Sequence, residues 1–248
     1  MTKKSPVYRI FDDKFSKIIA LVLCVCLAIP LVGCAPNIQK EYAYSIKNEK
    51  WYQDKNLIAS AWRLPVAGTY RSNFVYQENG AFCGPASIVN VFSSLGAMGF
   101  SQSSIFDDSS VSYLKARFRG LTLDEVGIIF RDNLNEKGIS EWSVKLYRDL
   151  TLEEFREHMI QTNSPDRRYV INFNRLPLFG VTVGHHSPIG GYSESDDMVF
   201  VLDVLDDYKP FLVPIERLFS AMNTIDNETG KKRGLILLQR SSKNPHQN

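Results

Sequence analysis

The strongest constraint on what this chain can fold into is an unbroken apolar run near its start, from Ile18 to Ile29. Pro30 and Gly33 interrupt the apolar stretch before it reaches the length of about 20 residues that a membrane-spanning helix needs. Five basic side chains precede the run, and this order is typical of a secretory signal. They are Lys3, Lys4, Arg9, Lys14 and Lys17. We therefore exclude residues 1–33 from the predicted fold, with an uncleaved membrane anchor as the alternative.

The tetrapeptide Leu31-Val32-Gly33-Cys34 follows the apolar run and resembles the lipobox of bacterial lipoproteins. The resemblance implies that the signal is cut before Cys34 and that Cys34 carries lipid. The chain is then expected to be anchored to a membrane on its periplasmic side. Ala35 favours sorting to the outer membrane if the cell is Gram-negative.

The rest of the chain is expected to contain one domain, because no repeat or change of composition divides it. We assign residues 34–55 to the lipidated cysteine and a polar tether, residues 56–240 to the domain and residues 241–248 to a disordered tail. Five of the 29 basic and two of the 27 acidic side chains lie in residues 1–33, which leaves 24 against 25. This balance lacks the basic excess of a nucleic-acid-binding protein.

Cys83 is the one thiol expected to remain in the processed chain. Cys24 and Cys26 lie in the segment that we expect to be removed, and Cys34 would be consumed by lipid. An intramolecular disulfide is then impossible. A solitary cysteine in an oxidising compartment favours a reactive role, and a buried, inert cysteine is the alternative.

Helical periodicity predominates in the first half of the domain and strand-like patterns in the second. The predicted helices are Pro85–Leu95, Leu123–Leu134, Leu152–Ile160 with Thr151 as its cap, and Ile215–Met222. The predicted strands are Trp142–Tyr147, Arg168–Phe173, His185–Tyr192, Met198–Val204 and Gly234–Arg240, with a hairpin turn at residues 193–197. The pattern predicts an α+β fold in which a helical half carries the cysteine and an antiparallel sheet carries the histidine.

Cys83 precedes Pro85, a residue that fits the first turn of a helix. A thiol at a helix start has a lowered pKa, because the free N–H groups and partial positive charge there stabilise the thiolate. Gly84 is expected to leave the approach to the sulfur open. The backbone N–H of Cys83 and the side chain of Gln77 are candidate donors to an oxyanion, although Gln77 alone could be an ordinary loop residue.

Two of the four histidines are candidates for a base. His246 lies in the tail, and His158 lies in a charged predicted helix where a solvated role is expected. His185 and His186 stand at the start of a predicted strand, where successive side chains point to opposite faces. Only one of the two is therefore expected to face the cysteine, and this argument leaves open which one.

Asp203 is a carboxylate within the apolar stretch Met198–Val204. A buried charge needs a partner. If the two strands pair around the turn at residues 193–197, Asp203 comes close to the strand end that carries the two histidines. The carboxylate would then fix the tautomer of an imidazole, and a capping role at a strand end is the alternative.

With these residues, the sequence resembles the catalytic domain of phytochelatin synthases, a papain-like family of cysteine-dependent γ-glutamylcysteine dipeptidyltransferases. The resemblance covers residues 58–240. Its densest matches are Ala81-Phe82-Cys83-Gly84-Pro85-Ala86-Ser87, Gly184-His185-His186-Ser187-Pro188-Ile189-Gly190-Gly191-Tyr192, Leu202-Asp203-Val204, Ala221-Met222-Asn223-Thr224-Ile225-Asp226 and Thr229-Gly230-Lys231-Lys232-Arg233-Gly234.

The resemblance implies a role for five residues. Cys83 would be the nucleophile, His185 the general base and Asp203 the acid that orients it. Gln77 would line the oxyanion hole. Arg175 would bind a carboxylate of the substrate.

The implied activity is release of glycine from glutathione through a γ-glutamylcysteinyl thioester, resolved by water or by a second glutathione. The segment Leu205–Phe211 departs from the family pattern, because it carries acids where relatives carry an arginine; Lys209 is expected to replace part of that charge at the substrate site. The cysteine-rich C-terminal region of the plant enzymes is absent. We therefore expect hydrolysis to exceed transfer.

The resemblance implies no intrinsic cofactor or metal site, with heavy-metal ions arriving as thiolate complexes of the substrate. It also implies a homodimer. Two other functions stay open at this point. One is a papain-like peptidase that acts on other peptides, and the other is a non-enzymatic lipoprotein that uses the fold as a binding module.

Overall fold

The computed structural model describes residues 45–241. The predictions for the signal, for lipidation of Cys34, for most of the tether and for nearly all of the tail fall outside this range. Helices dominate its first part. They are α1 (Lys55–Ala61), α2 (Ala67–Arg71), α3 (Cys83–Ser94), α4 (Tyr113–Arg119) and α5 (Leu123–Glu136).

A six-stranded antiparallel sheet forms the second part, with the strand order β1-β6-β2-β3-β4-β5. The strands are β1 (Trp142–Tyr147), β2 (Arg167–Asn174), β3 (Gly184–Ser193), β4 (Met198–Val201), β5 (Phe211–Pro214) and β6 (Leu235–Arg240). Three more helices connect them: α6 (Leu152–Ile160), α7 (Leu176–Phe179) and α8 (Ile215–Met222).

The N-termini of two helices are fixed by reciprocal capping. Thr151 accepts a hydrogen bond from the backbone N–H of Glu154, whose carboxylate accepts from the N–H of Thr151. Thr122 and Glu125 repeat the arrangement at the start of α5. Such boxes satisfy N–H groups that a helix start leaves without partners. The predicted cap at Thr151 is confirmed.

The sheet has an apolar core on each face, because neighbouring residues of a strand point to opposite sides. Val170 of β2 packs in one core with Ile88 of α3, whereas Ile171 packs in the other with Phe155 of α6. Helix α3 packs against β3. The layering brings the start of α3 to the strand that carries both histidines.

Most of the predicted elements are confirmed to within two residues at each end. The exception is the predicted strand Met198–Val204, because β4 ends at Val201 and Asp203 lies beyond it. Strand β5 and the helices α1, α2, α4 and α7 were not predicted. Within residues 45–241, no helix has the length and apolar character that a membrane crossing requires.

Candidate active site

Cys83 is the first residue of α3, and its side chain is only 8% exposed. Phe82 precedes it and forms no side-chain cap, so the N–H groups of the first turn keep their partial positive charge next to the thiol. A Cβ at Gly84 would lie 3.0 Å from Cδ1 of Leu121. Gly84 therefore allows α3 to pack closely against Leu121. The reason expected from sequence was a different one, an open approach to the sulfur.

Two histidines of β3 lie at this thiol. Nδ1 of His186 is 3.9 Å from Sγ of Cys83, and Nε2 of His185 is 3.0 Å from Oδ1 of Asp203. Both imidazoles are buried. The expectation that only one of them could face the cysteine is wrong, because Nδ1 of His186 lies near the sulfur and His185 also lowers the pKa of the thiol.

The charges at the site favour an ionised pair. Burial would raise the pKa of Cys83, but hydrogen bonding and positive charge, first of all from His185, bring it well below its ordinary value. Burial would lower the pKa of His185, but the charge of Asp203 raises it overall. Only His185 has a carboxylate partner, so we attribute the thiolate mainly to His185. A thiolate beside an imidazolium is the reactive form of a cysteine nucleophile.

Asp203 is completely buried just after β4. Its carboxylate accepts hydrogen bonds from His185, from the N–H of Leu205 at 2.8 Å and from Arg175. Burial would raise the pKa of Asp203, but His185, Arg175 and the Leu205 N–H together hold it below its ordinary value. The carboxylate is therefore charged and fixes the orientation of His185.

Arg175 is bound to the carboxylate of Asp203. Its Nη2 donates to both oxygens of Asp203, and its guanidinium carbon lies 3.8 Å from the ring centre of Tyr208. The side chain is 2% exposed. The carboxylate that Arg175 binds in this structure thus belongs to the protein itself, to Asp203.

The backbone of Gln77 is hydrogen-bonded to the residue that follows Asp203. Its N–H donates to the carbonyl of Val204, and its side-chain Nε2 donates to the carbonyl of Asn79 at 2.7 Å. One of the two amide hydrogens is therefore already bound. Oε1 of Gln77 is buried without a polar partner in the described part of the chain.

Asn172 and Arg233 complete the site, and the sequence reasoning assigned neither of them a role. Nη1 of Arg233 donates to Oδ1 of Asn172 at 3.1 Å and lies 3.8 Å from Asp226. Burial lowers the pKa of Arg233, and the charges of Asp226 and Cys83 oppose that effect. Asn172 is a polar residue within a buried strand, which is the same signal that drew attention to Asp203.

Comparison with known proteins places these residues in context. The model of the family described as Phytochelatin synthase matches residues 52–235. The chain belongs to the phytochelatin synthase family. The predicted α+β fold is confirmed, with Cys83 on a helix and His185 on an antiparallel sheet.

Curated relatives of this phytochelatin synthase family member are plant and yeast proteins. It is 32% identical over 186 residues to glutathione gamma-glutamylcysteinyltransferase 3 of Lotus japonicus, covering 70% of this chain and 37% of that protein. It is 31% identical over 186 residues to glutathione gamma-glutamylcysteinyltransferase 2 of Arabidopsis thaliana, covering 70% and 40%. The Schizosaccharomyces pombe enzyme is 29% identical over 175 residues, covering 66% and 41%. The chain thus spans about two fifths of the relatives' length.

Among solved structures, the peptidase domain of Streptococcus ComA, a bifunctional ABC transporter, aligns with a TM-score of 0.43 and 15% identity. The alignment covers 67% of this chain and 97% of that one.

The segment after Asp203 is the one expected from sequence to depart from the phytochelatin synthase pattern. Lys209 is exposed there, and its backbone N–H closes a turn to the carbonyl of Leu205 at 3.1 Å. Asp206 and Asp207 are exposed beside it. Within the described residues no group of three or more His, Cys, Asp or Glu side chains could hold a metal ion.

Proposed function

We propose that this chain is a glutathione γ-glutamylcysteinyltransferase that works through a thioester on Cys83. The observation that carries the proposal is the buried set Cys83, His185 and Asp203 at the junction of α3 and the sheet. The set combines an ionised nucleophile, an imidazolium and a carboxylate that orients it. Membership of the phytochelatin synthase family and the printed names of the relatives support glutathione as substrate.

In the proposed mechanism, the thiolate of Cys83 attacks the carbonyl carbon of the cysteinyl-glycine bond. The developing oxyanion accepts hydrogen bonds from the Cys83 N–H and from the second amide hydrogen of Gln77. His185 gives its proton to the departing amine of glycine, which leaves a γ-glutamylcysteinyl thioester. His185 then takes a proton from water or from the amine of a second glutathione as that nucleophile attacks the thioester carbonyl. The C–S bond breaks and the Cys83 thiolate leaves, which yields γ-Glu-Cys with water or a phytochelatin dimer with glutathione.

We expect hydrolysis to exceed transfer in this chain. Two exposed acids, Asp206 and Asp207, follow the catalytic carboxylate where the family pattern has an arginine, and Lys209 is the exposed base of the same segment. An acceptor with two carboxylates is repelled by acidic groups at its docking site, whereas water is not. Metal ions would take part as thiolate complexes of the substrate.

The decisive experiment incubates the full chain with glutathione, with and without cadmium, and quantifies products by mass spectrometry. We expect glycine and γ-Glu-Cys to predominate over phytochelatin dimers, and Cys83→Ser to form neither. Predominant dimers would contradict the hydrolytic preference. Cleavage of unrelated peptides but not glutathione would indicate a general peptidase, and an inactive wild type would indicate a binding module.

Two further proposals concern where the enzyme works. We propose that Cys34 carries lipid and anchors the chain to a membrane on the periplasmic side, on the basis of the Leu-x-Gly-Cys motif. Incorporation of labelled palmitate that disappears in Cys34→Ala tests this. We also propose a homodimer, by resemblance to the family, and light scattering of the detergent-solubilised chain tests that.

A further inference from the structure

The site contains one more imidazole than the proposed reaction uses. His186 is 2% exposed, and its Nδ1 lies 3.9 Å from the sulfur of Cys83. His185, the neighbouring residue, is bound to Asp203. Two bases at one thiol would compete for its proton, and a carboxylate partner favours the imidazolium form of the ring that it contacts. A contact in the structure must therefore determine which of the two rings accepts the proton of Cys83.

Asn172 lies directly opposite His186 in the pairing of β2 with β3. Its amide orientation is set by two hydrogen bonds. Oδ1 accepts from Nη1 of Arg233 at 3.1 Å, and Nδ2 donates to the carbonyl of His185 at 3.3 Å. An arginine can only donate, so the oxygen of the amide must face Arg233. The NH2 group consequently faces the histidines.

That NH2 group also lies 3.4 Å from Nδ1 of His186. Because the amide nitrogen is a donor, Nδ1 of His186 is an acceptor and the ring proton resides on Nε2. Nε2 is buried and has no polar partner among residues 45–241. The acceptor nitrogen that faces the sulfur is therefore already occupied by Asn172.

We propose that Asn172 is a positioning residue that occupies Nδ1 of His186 and so leaves His185 as the only proton acceptor for Cys83. The chain of contacts runs from Arg233 through Asn172 to His186. The identity of the substrate rests on the proposed function. The selection of one imidazole depends on the thiol itself and applies to any acyl substrate.

The charged groups around the two rings agree with this division. Asp203 and Arg175 lie on the side of His185, and Asp203 contacts its ring. Arg233 and Asp226 lie on the side of Asn172. No carboxylate oxygen bonds to His186 within the described structure, whereas His185 has Asp203 as its partner.

The test measures alkylation of Cys83 by iodoacetamide in the full chain between pH 5 and 9, a readout that requires no substrate. His185→Gln should slow alkylation at pH 6.5, about tenfold for each unit by which the thiol pKa rises. Adding Asn172→Leu should recover part of that rate, because Nδ1 of His186 becomes free to accept the thiol proton. A double variant no faster than His185→Gln overturns the proposal.

A matched control separates this effect from general loosening of the core. Asn133 is also fully buried, and its Nδ2 donates to the carbonyls of Ile105 and Ile129 away from the site. Asn133→Leu in the His185→Gln background should leave the alkylation rate unchanged. Equal recovery from both asparagine variants would overturn the proposal.

A second measurement uses the wild type and a variant that keeps a hydrogen-bond acceptor for Arg233. Nitrogen-15 NMR of histidine-labelled wild type should show the proton of His186 on Nε2. Asn172→Asp, which keeps the shape of the side chain but offers only acceptors, should move it to Nδ1. A wild-type proton on Nδ1 overturns the proposal. Failure of glutathione cleavage would instead overturn the proposed function and leave both readouts intact.

Discussion

Nη2 of Arg175 donates to both oxygens of Asp203, at 2.9 and 2.8 Å, and neither side chain is more than 2% exposed. A buried carboxylate that held only His185 would keep an oxygen poorly satisfied. The arginine therefore stabilises the charged form of Asp203 and fixes its position. Asp203 in turn favours the protonated form of His185, the imidazole beside Cys83. Arg175 therefore affects the protonation of His185 through Asp203.

Arg175→Met should destabilise the chain by about 3–5 kcal/mol, because it leaves one partner of a buried ion pair behind. Urea unfolding followed by circular dichroism measures this. The control is Arg156→Met, which removes a partly exposed pair with Asp197 and should cost no more than about 1 kcal/mol. Equal losses in the two variants would contradict the role given to Arg175.

Cys83 should react with iodoacetamide at pH 6 faster than a free thiol does. The reason is its pKa, which His185 and the helix start lower against the effect of burial. Measuring the alkylation rate against pH, with glutathione as the reference thiol and Cys83→Ser as the blank, checks this. A profile centred near the ordinary cysteine value of about 8.5 would count against an activated thiol.

Asp203→Asn should move that alkylation profile to higher pH. The charge of Asp203 raises the pKa of His185, and the imidazolium lowers the pKa of Cys83. Without the carboxylate the imidazolium loses stability, and the thiolate with it. The same iodoacetamide assay measures the shift, and an unchanged midpoint would show that the helix start alone ionises the thiol.

The contact between Asp203 and a histidine was predictable because these two parts of the site are close in sequence. Strand periodicity placed β3 and β4, and the hairpin pairs Ser193 with Met198. The rule that a buried carboxylate needs a partner then linked Asp203 to the histidines. Local patterns were sufficient because only 18 positions separate His185 from Asp203.

Other parts depend on contacts that no local pattern reveals. Asn172 and Arg233 are 61 positions apart and meet because β6 lies beside β2. Strand β5 has four residues, with Pro210 before it and Pro214 at its end, and proline weakens a strand prediction. For Arg175, sequence indicates a partner carboxylate but not whether that carboxylate belongs to a ligand or to the protein.

Acid should destabilise the wild type more than Asp203→Asn. The pKa of Asp203 is lower in the folded chain than its ordinary value of about 3.9. A group with a depressed folded pKa contributes stability above the unfolded value, and that contribution is lost as pH falls towards the folded value. Urea midpoints between pH 6 and 2.5 should therefore fall more steeply in the wild type. Parallel curves would contradict the depressed pKa.

Gly184→Ala should impair catalysis more than stability. A Cβ at Gly184 would lie 2.6 Å from Nη1 of Arg233, so the flexible guanidinium must move away from Asn172. We expect kcat/KM for glutathione cleavage to fall by about tenfold to a hundredfold, as for other displacements near reacting groups. Gly80→Ala is the matched control, because a Cβ there meets nothing within 4 Å. Equal kcat/KM in the two variants would mean that the position of Arg233 does not matter for the reaction.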